Sequence, residues 1–170
     1  GGGGDEDLDT TVSVFSAELA GDMDLANGTT DLTIDTATFE GGSPPDAGGD
    51  VVGIINTGGG ATTIAVSAGE IVINQPIESD GSGGIIIAAS SPVTVNAVVT
   101  DTSGGIITIQ AEGNAVTDDV NVNANITATG GNGNISIFAG GDVEIEIGVV
   151  HPMQPPKRRH RMNHDMLQID

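Results

Sequence analysis

The chain has 170 residues, no cysteine, three aromatic residues (Phe15, Phe39 and Phe138) and a formal net charge of −20. Without cysteine there is no disulfide framework, thiolate metal site or cysteine nucleophile, and without aromatics a core must be assembled from Ile, Val, Leu and Ala. All four basic residues (Lys157, Arg158, Arg159 and Arg161) and all three His lie after Val150, so residues 1–150 carry 22 acids and no cation, which excludes nucleic-acid binding by this body.

The chain opens with GGGGDEDLD, with neither an initiator Met nor a hydrophobic signal stretch, and a mature or excised fragment is expected. Residues 1–9 read as a disordered, Gly-rich and acidic leader. No apolar run approaches the ~18 residues of a membrane helix, so no membrane span is expected.

From residue 10 a repeat emerges, weakly over 10–59 and clearly over 60–148. The segments "AVSAGEIVINQPI", "IAASSPVTVNAVV", "TIQAEGNAVTDDVNVNANI" and "SIFAGGDVEIEIG" share one plan: a short alternating strand, a small-residue corner, a second alternating strand. First strands contribute the pairs Ile64/Val66, Ile86/Ala88, Ile107/Ile109 and Ile135/Ile137. Second strands contribute Ile71/Ile73, Val93/Val95, Val120/Val122 and Val143/Ile145. Val12/Val14, Leu32/Ile34 and Val52/Ile54 extend the second set backwards. The resulting column, Val14, Ile34, Ile54, Ile73, Val95, Val122, Ile145, advances by 20, 20, 19, 22, 27 and 23 residues, the long step holding the insertion "EGNAVTDD".

A period of roughly 20–23 residues, with β-branched strands and Gly-rich corners, is too short for a propeller blade and lacks helical periodicity. The expected fold is an all-β parallel β-helix, or β-solenoid, of about seven coils over 10–148, each strand stacking ~4.8 Å from its counterpart. The alternative is a β-sandwich of cadherin or immunoglobulin type, compatible with short strands and frequent turns. At Val150 the pattern stops. Residues 149–170, with "PPKRRHR", read as a disordered basic tail of non-native or degenerate origin.

The stretches "SGGIIIAASSPVTVNAVVTDTSGGIITIQAEG" and "VNVNANITATGGNGNISIFAGGDVEI" resemble the repeats of filamentous-haemagglutinin-like and related β-strand-repeat bacterial surface proteins. The likeness covers residues 60–148 well and 10–59 weakly, and its motifs are degenerate. It implies an exported, cell-surface setting, an adhesive rod, and neighbouring repeats in a longer chain. The chain departs from that family's pattern in having no secretion domain at its N-terminus.

Alternation also sets the outward positions. Asn74, Asn96, Asn123 and Glu146 should form one polar column, with Thr94, Asn121 and Glu144 beside it. Stacked amides can hydrogen-bond along a solenoid, and the same strip is the candidate surface for a glycan or protein ligand. Asp5, Asp7 and Asp9 in "DEDLD", with Asp118 and Asp119 in "TDD", are hard-oxygen clusters and the candidate calcium ligands, though no complete ligand set is visible. Asp118 and Asp119 could be considered as a hydrolase pair, but neighbouring residues tend to point apart and such chemistry needs carboxyls across a cleft. A lyase acting on uronates would want a cation, and the body has none. No catalysis and no obligatory cofactor are therefore expected. The expected function is that of a structural, adhesive rod segment, the alternatives being a calcium-dependent binding module and a polysaccharide-active β-helix enzyme.

Overall fold

The computed structural model describes residues 8–28, 30–38, 49–131, 133–146, 159–163 and 167–169. Among them there is no helix; the chain winds through short parallel strands that stack into three long faces. The first face runs Leu8–Thr10, Met23–Asn27, Thr62–Val66, Ile85–Ala89, Ile106–Ala111, Asn134–Ala139. The second runs Val14–Phe15, Leu32–Ile34, Ile71–Ile73, Val93–Val95, Val120–Val122, Asp142–Glu146. The third runs Ala17–Leu19, Ile54–Asn56, Ile77–Ser79, Val99–Asp101, Ile126–Ala128. This is a β-solenoid. Parallel pairing from coil to coil along all three faces rules out the sandwich.

The shaft is filled by columns of like residues in strict register. On the first face Leu25, Ile64, Ile87, Ile109 and Ile137 lie over one another. On the second, Leu32, Ile71, Val93, Val120 and Val143 form one column and Ile34, Ile73, Val95, Val122 and Ile145 the next. Ile64, Ile71, Ile73, Ile87, Val93 and Val95 have no exposed surface at all. Each fully buried aliphatic of this kind contributes about 1.5–3 kcal/mol relative to exposure, and the columns replace the bulky aromatic core that the composition forbids.

Four sequence expectations need correction. Among the described residues the first five coils each have three strands, not two; the third-face strands of coils two to four end inward on Asn56, Ser79 and Asp101 and so show no apolar alternation. Ile54 does not continue the second-face column, because it pairs with Ile77 on the third face, while Ile34 pairs directly with Ile73. The apparent 20-residue step is therefore a coincidence of spacing, and six coils, not seven, stack among the described residues. Ile86 and Ala88 are not the inward pair of their strand. Ile85, Ile87 and Ala89 are buried, and Ile86 is 39% exposed. Finally, Val14 is exposed and aligns with Thr33, so that Phe15, aligned with Ile34, packs on the core.

The second coil is the long one: Leu25 to its counterpart Ile64 spans 39 residues, against 23 from Ile64 to Ile87 and 22 from Ile87 to Ile109. The excess leaves the shaft between the second and third faces. There Thr36–Thr38 and Asp50–Val52 pair antiparallel as a hairpin, and Gly53 N–H donates to the Asp35 carbonyl at 3.3 Å across its base.

Two segments of the region read as a disordered tail are strands. Arg159–Asn163 runs antiparallel along Asp142–Glu146, and Leu167–Ile169 runs antiparallel along Asn134–Ala139. The physical reason is the exposed edge of the last coil, whose unpaired N–H and C=O groups are a template for any extended segment within reach.

Candidate functional site

Between the second and third faces the chain turns one residue after an inward position, which places Asn74, Asn96 and Asn123 at equivalent corners. The backbone N–H of Asn96 donates to Ile73 O and that of Asn123 to Val95 O, both at 2.8 Å, which fixes the corners one above another. Their side chains then meet. Asn96 Nδ2 donates to Asn74 Oδ1 at 3.0 Å, and Asn123 Nδ2 donates to Asn96 Oδ1 at 2.9 Å. The column expected from sequence is thus a hydrogen-bonded amide ladder. Asn96 uses one of its two N–H donors and one of its two lone pairs in it, so this exposed amide retains the other donor and acceptor for an outside molecule.

Beside the ladder, Val72, Thr94, Asn121 and Glu144 lie in register on the outward side of the second face. Thr94 and Asn121 are half-buried by their neighbours. In the stack Asn123 is preceded by Asn96, Asn74 and Asp35 in turn and followed by Glu146. The strip is therefore amide and hydroxyl in the middle and acidic at its ends. Glu144 and Glu146 both have interaction partners, and the strand Arg159–Asn163 lies along the edge that carries them.

The aspartates considered for calcium behave as backbone fasteners. Asp118, 7% exposed, accepts the Ala115 N–H through Oδ2 at 2.7 Å, closing the "EGNAVTDD" loop. Asp119 accepts the Asp142 N–H through Oδ1 at 2.7 Å, tying that loop to the next coil. Asp22 and Asp31 do the same lower down, on Ala61 N–H at 2.8 Å and Glu70 N–H at 3.1 Å. Asp5 and Asp7, and the side chain of Asp9, lie outside the described residues. Among the described residues no three His, Cys, Asp or Glu side chains gather into a group that could hold a metal ion.

A buried polar column escaped the sequence reading. Asn56, Ser79 and Asp101 share one inward position at the end of the third face and are at most 3% exposed. Each turns the chain by accepting the N–H two residues ahead: Gly58 to Asn56 Oδ1 and Gly81 to Ser79 Oγ, both at 3.2 Å, and Ser103 to Asp101 Oδ1 at 3.1 Å. Asp101 Oδ1 also accepts the Gly105 N–H at 2.8 Å. This is the local hydrogen bonding by which Asn, Ser and Asp favour turns over strands.

The first face carries a second feature. Ala26, Ala65 and Ala88 stack on its outward side and floor a shallow open groove of about 600 Å³, edged by Thr10, Thr11 and Glu112. Alanine occurs equally inside the shaft, so nothing but the register marks these three as surface residues. No family model, curated protein or solved structure matches the chain.

Proposed function

We propose that the chain is a structural and adhesive segment of a surface rod belonging to a longer exported protein, with no chemistry of its own. The observation that carries this reading is the outward strip of Asn74, Thr94, Asn96, Asn121 and Asn123, laid on a shaft whose columns of like aliphatic residues stack in register beneath it. A row of amides and hydroxyls with spare donors and acceptors matches the hydroxyl-rich edge of a glycan, which is recognised through convergent polar groups on a preformed surface. The resemblance of residues 60–148 to bacterial surface repeats supports the setting. Stacking supports the spacer role, since each added coil lengthens the rod by only ~4.8 Å while adding a self-similar interface.

The test is binding of the fluorescently labelled protein to an array of polysaccharides and extracellular glycans. At least one glycan should be bound, and the double substitution Thr94→Arg with Asn121→Arg should weaken binding tenfold or more without moving the melting temperature. Absence of binding, or binding indifferent to both substitutions, removes the adhesive half of the reading. Unfolding on addition of EDTA would move it to a calcium-dependent module.

A further inference from the structure

We propose that Arg159–Ile169 is a charge-matched cap on the C-terminal end of the shaft, and that it denies that end to the strands of a second copy. This inference does not depend on the adhesive reading. Three observations carry it.

The first is the pairing itself. The outer edges of Asn134–Ala139 and Asp142–Glu146 are occupied by the antiparallel strands Leu167–Ile169 and Arg159–Asn163, where a further coil would add parallel strands. The direction of the chain is thus reversed on two of the three faces, and stacking stops there.

The second is the register. It sets Arg161 across from Glu144 and Arg159 across from Glu146, with Met162 across from Val143. On the neighbouring face it sets Leu167 across from Ile137 and Ile169 across from Ile135. Opposite charges and apolar pairs at directly facing positions favour a pairing. A shift of one residue would break every match. Two of the chain's four cationic residues are therefore in register with Glu144 and Glu146, and both glutamates have partners.

The third is the edge formed by the first described coil. At the other end, Leu8–Thr10, Val14–Phe15 and Ala17–Leu19 are the outermost strands of their faces and, among the described residues, have no neighbour beyond them. Leu8 and Val14 on these strands, and Val12 between them, are apolar and exposed. An uncapped C-terminal coil presents parallel edges complementary to this surface. Such a head-to-tail contact is heterologous and does not close, so it propagates into filaments.

Two measurements test the cap. In hydrogen–deuterium exchange at low salt, the double substitution Arg159→Glu with Arg161→Glu should speed exchange of the amides of 142–146 about tenfold or more. Adding Glu144→Arg and Glu146→Arg should restore protection. Unchanged exchange in the first variant, or no recovery in the second, overturns the charge matching. In sedimentation at about 150 mM salt, the intact chain should stay monomeric and a chain lacking residues 151–170 should form oligomers that grow with concentration. A truncated chain that folds and remains monomeric overturns the exclusion of a second copy. If the truncated chain fails to fold, the four-charge swap still decides whether the cap is charge-matched, and sedimentation of the Arg159→Glu/Arg161→Glu variant decides whether loosening it admits a second copy.

Discussion

At the scale of single residues, the most instructive position is the run Ile85-Ile86-Ile87. Alternation normally tells inside from outside, but three consecutive isoleucines give no alternation, and a shift by one position exchanges the two faces. The flanking coils resolve it: Thr62, Ile64 and Val66 below, and Ile107, Ile109 and Ala111 above, face inward and align with Ile85, Ile87 and Ala89. Ile87→Ala should therefore cost about 2–5 kcal/mol, since it opens a cavity in a column with no exposed surface. Ile86→Ala should stay within ~0.5 kcal/mol. Urea unfolding of the two variants compares them directly, and equal losses would refute the register. The Asn ladder, by contrast, was legible, because Asn74, Asn96 and Asn123 follow their strands at one constant offset. The column Asn56, Ser79, Asp101 was not, because its members differ in type and share only a capping geometry.

At the scale of elements, the hairpin of the second coil explains why the N-terminal repeats looked faint. In the third, fourth and fifth coils three residues link the second face to the third: Asn74 to Pro76, Asn96 to Val98, Asn123 to Asn125. In the second coil Asp35 and Gly53 hold the two ends of that link, and residues 36–52 are interposed between them. Replacing 36–52 by a single residue would restore a three-residue link and shorten the step from Leu25 to Ile64 from 39 to 23 residues, the value of the next coil. The shaft columns do not run through the hairpin, so this shortened chain should fold with stability within about 1 kcal/mol of the parent, the loop-closure difference being small. Coincident circular-dichroism melts would bear this out; an unfolded product would mean that the hairpin supports the shaft. The third face was unreadable for another reason: its strands Ile54–Asn56, Ile77–Ser79 and Val99–Asp101 end inward on Asn56, Ser79 and Asp101, so no apolar alternation appears, whereas second-face strands of the same length carry two apolar inward residues.

At the scale of the whole molecule, charge sets two opposing responses to salt. The body carries 22 acids and no cation. Two like charges ~10 Å apart in water repel by roughly 0.4 kcal/mol, and many such pairs coexist on a narrow shaft. Winding the chain brings these acids closer than they lie in the unfolded state, so repulsion works against folding, as net charge far from zero generally does. Raising salt from about 20 mM to about 0.5 M shrinks the Debye length to a few ångströms and screens that repulsion. Global unfolding should then shift upward by about 5–10 °C, corresponding to a few kcal/mol for a chain of this size. The pairing of Arg159 and Arg161 with the strand holding Glu144 and Glu146 is attractive, so the same salt should weaken it. Amides of 142–146 should lose protection relative to those of Ile71–Ile73 in the middle of the shaft while the melting temperature climbs. A solenoid stabilised uniformly by its columns, with no charge component at its end, would show both quantities moving together, and that result would sink the distinction between shaft and cap.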